Sequence, residues 1–495
     1  MAIPKVLGIE TEYGVAGGPQ NDPIAASGLL VSSYAHVGGR FINWDFRDEA
    51  PGSDLRGTTL LTSIAPLVET HLANAVLANG SRFYVDHAHP EYSSPEVRTP
   101  RQAVLYDLAG EEILRRAMLA ANHETYSGDV VVVYKNNSDG KGNSYGCHEN
   151  YLVRRDIEFT DIVKCLVPHF VTRQVMVGSG KVGWETDSAS SRRPVFQVSQ
   201  RAEFFEEVVG LETTLKRPII NTRDEPHGDH ERFRRLHVIV GDANSSQVAT
   251  FLKLGTTGLL LALLEDVGIA TLPPLPVDPV RAIHTFAMDT SLTSVEEFTD
   301  GKMYSALDIQ EWLWRSVNSY LSTHSGDAVA PRSEIDEIMS YWRSVLDGLR
   351  SDVSSMSSLV EWVAKKNLIS SYAQRHALAW DDVRLKAIDL QFHDLRPEKN
   401  LAARMGFTEM FNQGEIERAV NEPPEQTRAY FRGRCVSQYG DSVVSANWDS
   451  LVFGLKNGEL HRVPMMDPMR GTAELTRELL DRCNSAEELI TALGM

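Results

Sequence analysis

Lys5-Val-Leu-Gly-Ile-Glu-Thr-Glu-Tyr13 alternates in a way that fits a β-strand, with Glu10 and Glu12 on one face. The two carboxylates there read either as ligands or as the polar face of an edge strand. Other strand-like segments repeat the pattern. Arg82–Asp86 reads as a short strand before the turn-forming His89-Pro90, and Tyr84, Asp86, Glu91 and Glu96 lie on it or just after it. His148, Glu149 and Asn150 interrupt an otherwise apolar strand over 145–154. Arg223, Asp224, Glu225 and His227 form one charged run, and Arg234, Arg235, His237, Asp242 and Asn244 surround a strand over 236–240. Burying so many charges is costly unless they pair or bind a metal. Carboxylates dominate, with a few imidazoles and no thiolate pair. Hard oxygen donors suit Mg²⁺, and the accompanying arginines suit phosphate. A site for Mg²⁺ and nucleotide phosphates on a sheet is the natural expectation.

The remaining periodicity predicts a mixed α+β chain. Helices are expected over 61–77, 100–121, 159–176 and 247–265, and strands over 129–134 and 194–199. Residues 16–58 are rich in Gly, Pro, Asp and Ser and read as an irregular excursion, with a mobile loop about 40–58. Within it, 45–57 carries Asp45, Asp48, Glu49, Asp54 and Arg56 and is a candidate gate. Lys135–Gly142 reads as a turn-rich loop. After Pro273–Pro279 the pattern is mostly helical, over 306–322, 333–350, 357–366 and 370–380. Glu422-Pro-Pro424 marks the boundary between a catalytic unit, 1–424, and a small C-terminal domain, 425–495, with a strand over 448–453 and a terminal helix.

The net charge of −18 and pI near 5.3 argue against nucleic-acid binding, which needs a basic surface. The four cysteines, Cys147, Cys165, Cys435 and Cys483, form no CxxC pair, so neither a structural zinc nor a disulfide framework is expected. The N-terminus has acidic residues where a signal peptide would be apolar, and the run Gly258–Leu264 is too short to span a bilayer. A cytoplasmic protein without membrane contact is expected. GxxxxGK[ST], HExxH and GxSxG motifs are absent, and no GxGxxG follows a strand.

The blocks GIETEYG (8–14), FYVDHAHPEYS (83–93), YKNNSDGKGNSYGCHENY (134–151), INTRDEPHGD (220–229), RRLHVIVGDAN (234–244), TRAYFRG (427–433) and SANWDSLVF (445–453) resemble the Pup ligase/Pup deamidase family over nearly the whole chain. VDHAHPEYS looks like the deamidase branch, because the ligase carries a one-residue-longer turn after the aspartate. The excursion before Leu61 is also similar to that branch, whereas GIETEYG and Cys147 look ligase-like. The resemblance implies a glutamine-synthetase-like fold: a curved antiparallel sheet packed with helices, plus a small C-terminal domain. It implies an ATP- and Mg²⁺-dependent hydrolase that deamidates the C-terminal Gln of Pup and cleaves the Pup–lysine isopeptide bond. Pup and pupylated proteins are the implied partners, with the proteasomal ATPase as a further one.

Matched block by block, Glu10, Tyr84, Glu91, His148 and His237 resemble the Mg²⁺ shell. Arg82, Ser94, Asn150, Arg235 and Trp448 resemble the nucleotide contacts, and Asp86 resembles the catalytic aspartate. Asp86 would act as general base or attack directly. Pup is acidic, so its groove should be locally basic, with Arg201, Lys216 and Arg217 as candidates. The alternatives are a Pup–protein ligase, a small-molecule carboxylate–amine ligase and a non-catalytic Pup-binding scaffold.

Overall fold

A computed structural model describes residues 1–37, 42–49, 52–56, 73–124, 129–186 and 195–495. The strand read from Lys5–Tyr13 is β1 (Leu7–Glu12), and it lies inside a six-stranded antiparallel sheet. The others are β2 (Asn74–Val76), β3 (Arg82–Asp86), β4 (His89–Ser93), β5 (Cys147–Arg154) and β6 (Phe233–Val238). Their spatial order is β6-β5-β1-β4-β3-β2. Register sorts the side chains into two faces. Leu7, Ile9, Phe83, Tyr92, Tyr151 and Leu236 point one way and are buried. That face packs on α1 (Pro23–Val37), α2 (Pro100–Glu124) and α4 (Gln247–Val267), with α3 (Phe159–Thr172) behind α4. Gly110 of α2 permits the close approach, because a Cβ there would lie 2.7 Å from Tyr92 Cε1. Glu149 also faces the helices. Arg173 Nη2 donates to it over 2.6 Å and the Tyr151 hydroxyl over 2.6 Å, which satisfies its charge within the core.

Helix α4 is long and apolar enough to cross a membrane, yet 94% of its apolar window is buried inside the protein. A helix apolar on all sides is expected at such a place.

Several expectations need correction. The excursion over 16–58 contains the 15-residue α1, which starts on Pro23. Its mixture of Ser, Gly and Ala with buried Leu30, Val31 and Tyr34 hid the helical pattern. Of the helix expected over 61–77, residues 74–76 are instead strand β2, and residues through 72 lie outside the described residues. The helices expected over 357–366 and 370–380 are one helix, Glu361–Arg375, followed by Val383–Phe392. A parallel pair, Phe205–Gly210 with Arg217–Asn221, was not anticipated. Of the loop expected about 40–58, residues 40, 41, 50, 51, 57 and 58 lie outside the described residues. The described parts are tied down. Trp44 pairs in parallel with Ala446, Asp45 accepts from Arg47 and Arg462, and Leu55 N donates to Thr222 O over 2.9 Å.

A second core is built from Tyr430, Phe431, Leu451, Phe453 and Leu480, which all follow residue 425, together with Ile42, Trp44 and Val76 from the N-terminal half. The joint to the main sheet is apolar at Val76 of β2 and ionic beside it. Glu96 accepts from Arg428 Nε over 2.7 Å and also pairs with Arg432, both on or beside α5 (Ala429–Tyr439). Burial pushes the Glu96 carboxyl up, but the two guanidiniums outweigh it and hold it at about 2. A depressed carboxylate stabilises the fold above its unfolded value near 4.5, and the stabilisation is lost as pH falls through about 2. Glu96→Gln should therefore cost about 3 kcal/mol at neutral pH, a gap that closes in acid. Urea melts of both proteins across that range measure it.

Candidate active site

The second face of the sheet is almost wholly polar. Register places Glu10 opposite Ser93 and His148, Glu12 opposite Glu91, and Glu91 opposite Tyr84. It places His237 opposite Asn150, Arg82 opposite Ser93 and Asp86 opposite His89. Period-two alternation on five strands thus brings residues more than two hundred positions apart onto one surface.

Two groups of ligand atoms converge there, each with its atoms within 4.8 Å of one another: Glu10 with His148 and His237, and Glu12 with Asp86 and Glu91. In the first, His148 Nδ1 lies 3.5 Å from Glu10 Oε2, and Asn150 Nδ2 donates to Glu10 Oε1 over 2.8 Å. Arg235 Nη1 donates to Asn150 Oδ1 over 2.6 Å and stands 3.9 Å from Glu10. Burial raises the Glu10 carboxyl, but the His148 bond and the Arg235 charge together bring it below its ordinary value. Burial, helped by Arg235, drives His237 well below the usual imidazole range. It is therefore neutral at pH 7, which is the form that binds metal.

The second group has the opposite balance. Burial pushes Glu91 well above the carboxylate range, and the charges of Asp86, Glu12 and Glu10 add to it. Glu12 resists its own burial because His89, with Nδ1 3.4 Å away, helps hold it at about 2. Tyr84 is pushed well above its ordinary value by burial and by Glu91, and its hydroxyl lies 3.4 Å from Ser93 Oγ. Crowded carboxylates of this kind call for a cation. Gly146 leaves room beside both groups, since a Cβ there would collide with His148 and lie 2.8 Å from Glu12 Oε1. Carboxylates with two imidazoles and a glycine-lined gap fit a hard divalent ion.

Two depressions meet across these carboxylates. A cleft on one side is lined by Glu10, Ser94, Asn150, His227, Arg235 and Trp448. A groove of about 1150 Å³ on the other side is lined by Glu12, Asp86, His89, Tyr145, His148 and Arg201, among others. Asp86 stands at the tip of the β3–β4 hairpin with 31% of its side chain exposed to that groove. Ser27 Oγ of α1 supports the tip by donating to Ala88 O over 2.9 Å.

The expected site residues are mostly brought together. Glu10, His148 and His237 form one group, while Glu91 and Asp86 belong to the other with Glu12 between. Ser94, Asn150, Arg235 and Trp448 share the cleft. Ser94 Oγ is committed to the backbone, accepting from Ile9 N over 3.0 Å and donating to Pro95 O over 3.2 Å. Arg82 is not in the cleft lining. Its guanidinium is sandwiched 4.0 Å from the Trp44 ring and 3.8 Å from the Tyr84 ring, and its Nε donates to Asn74. Arg201, Lys216 and Arg217 line the groove. Arg201 is buried and donates to Gly241 O over 3.1 Å, so it is no ordinary solvated arginine. Sequence reading left Glu12 open between a ligand and the polar face of an edge strand, and gave no role to His89, Tyr145, Trp44 or Arg428. Only the Glu10-x-Glu12 spacing offered a signal, for Glu12.

The family model for Pup-ligase proteins matches residues 5–452. The chain belongs to the Pup-ligase protein family. Within this family it is 45% identical over 504 aligned residues to the depupylase of Acidothermus cellulolyticus, covering 99% of each chain. It is 41% identical to the Pup deamidase/depupylase of Mycolicibacterium smegmatis, again over 99% of each. A Pup–protein ligase of Xylanimonas cellulosilytica is 39% identical over 96% of this chain and 99% of its own. Among solved Pup-ligase structures, the ligase PafA in complex with Pup superposes with a TM-score of 0.79 at 28% identity, covering 99% of this chain and 95% of that one. PafA in complex with ADP gives 0.74 at 32% identity over 84% and 92%. The fold is therefore the glutamine-synthetase-like α+β fold of that family.

Proposed function

We propose that this protein is a Pup deamidase/depupylase: it hydrolyses the side-chain amide of a C-terminal Gln on Pup and the isopeptide bond that joins Pup to a lysine. The relatives named for that activity match at 41–45% identity across 99% of the chain. The observation that carries the reading is Asp86, held at a groove beside Glu12 and Glu91 on a two-residue hairpin turn. Both reactions add water across one C–N bond. Oxygen joins the carbonyl carbon, and nitrogen leaves with a proton, as ammonia or as the lysine amine. Asp86 touches the reacting atoms, either as base toward the attacking water or as the attacking carboxylate.

The cleft would hold ATP or its diphosphate product, as a PafA structure in complex with ADP suggests. Asn150, Arg235 and Trp448 supply its polar and aromatic walls. Glu10, His148 and His237 would hold one Mg²⁺, and Glu12 and Glu91 a second, with Tyr84 beside them. When bound, the metal would supply positive charge for the oxyanion that develops, and the phosphate would help to orient the groups around it. Arg235 positions Asn150 and Glu10 in readiness, through bonds already formed.

Pup would lie in the groove, whose Arg201, Lys216 and Arg217 suit an acidic tail. Raising salt should weaken Pup binding, and titrations at low and high ionic strength read this directly. Salt-independent affinity would remove the electrostatic part. A cytoplasmic location and contact with a proteasomal ATPase belong to the same proposal and rest on family membership. Conversion of Gln-ended Pup to its Glu form, followed by mass spectrometry, tests the activity itself.

A further inference from the structure

The turn that presents Asp86 is built in an unusual way. Register pairs Asp86 with His89, so the hairpin turns on His87 and Ala88 alone. His87 has φ +50°, and Ala88 is not among the residues with positive φ. In a two-residue hairpin whose first central residue alone is left-handed, glycine is the usual occupant. A side chain there carries backbone strain, and strain of this kind gathers where function requires it. The imidazole turns back on the catalytic group: His87 Nδ1 lies 2.9 Å from Asp86 Oδ2, and both side chains line the groove. Asp86 otherwise faces the carboxylates of Glu12 and Glu91, which would repel it. From below, Ser27 Oγ fixes Ala88 O, so the backbone beneath the histidine is anchored.

We propose that His87 is a positioning residue for the hydrolysis assigned above, an inference that rests on that assignment. By bonding Oδ2 it fixes the Asp86 rotamer and leaves Oδ1 directed at the scissile carbonyl. The left-handed backbone is what allows the imidazole of the adjacent residue to reach back that far.

Two substitutions separate this role from a merely structural one. His87→Gly removes the imidazole and relieves the strain, so its melting temperature should equal or exceed that of the wild type. Its kcat for Gln hydrolysis should nevertheless fall by about ten- to a hundredfold, with KM for Pup unchanged. His87→Asn tolerates the left-handed backbone and offers a short amide to Asp86, so it should recover much of the loss. An activity-independent readout is the Asp86 side chain in crystal structures: one rotamer in the wild type and His87→Asn, several in His87→Gly. A His87→Gly protein within about twofold of the wild-type kcat overturns the proposal, as does a loss that His87→Asn leaves untouched. A single, unchanged Asp86 rotamer in His87→Gly overturns it too. An inactive wild-type protein would instead count against the assigned hydrolysis, with the rotamer comparison still deciding the role of His87.

Discussion

Asp86→Asn should abolish hydrolysis, lowering kcat by about a thousandfold or more, while the protein stays folded and still binds nucleotide. The change is isosteric, so hairpin packing and the support from Ser27 are kept. What is lost is a carboxylate that stands beside Glu12 and Glu91 and partly open to the large groove. Asp86 also raises the energy of its neighbours, because its charge is among the causes that push Glu91 up. Removing that charge should leave the melting temperature unchanged or slightly higher. The same substitution that ends turnover therefore costs no stability, a pattern typical of catalytic carboxylates held against like charges. Nucleotide affinity should be unaffected, since the cleft lies across the sheet face on Glu10, Asn150 and Arg235. Single-turnover assays with Gln-ended Pup, paired with nucleotide titration, separate the two effects.

The second large effect concerns the metal. Chelation should stop hydrolysis, and added Mg²⁺ should restore it. Glu91→Gln should raise the Mg²⁺ requirement by about ten- to a hundredfold. Without a cation, burial and the charges of Asp86, Glu12 and Glu10 favour the protonated form of Glu91. Metal binding must displace that proton, so Mg²⁺ affinity should weaken as pH falls. Glu91→Gln then has effects of opposite sign in the two states. In metal-free protein the neutral amide replaces a carboxyl whose neutral form is favoured, so stability should change little. In excess Mg²⁺ the wild type gains stability by mass action and the variant gains less. Thermal melts with EDTA and with Mg²⁺ would show the crossover. Equal Mg²⁺-dependent gains in both proteins would remove Glu91 from the metal site.

Much of this site was legible because β-strands impose a period of two. Glu10 and Glu12, Tyr84 and Asp86, and His148 and Asn150 each fall on one face as spacing alone requires. Glu149, between His148 and Asn150, points to the core and finds Arg173, so the parity that marks the site also excludes its neighbour. Register, unlike parity, could not be read. That Glu12 stands opposite Glu91, and so joins Asp86, depends on how strands eighty residues apart align. Helix α1 was missed because it is buried on several sides and mixes small residues such as Ser27 and Gly28 with its apolar ones, which leaves no amphipathic stripe. Trp44 joins the core of residues beyond 425 across four hundred positions, and no local pattern signals such a contact. The roles given to Ser94 and Arg82 came from resemblance. The bonds they make here, to Ile9 and Pro95 and to Asn74, explain how each is held in place.

The most direct test of the central claim is mass spectrometry of Pup ending in Gln, and of a Pup–lysine conjugate, incubated with the protein, Mg²⁺ and ATP. The account predicts conversion of the terminal amide to the acid and release of free Pup from the conjugate, both absent in Asp86→Asn. Unchanged substrates would contradict it, and so would ATP-dependent joining of Glu-ended Pup to lysine in place of hydrolysis.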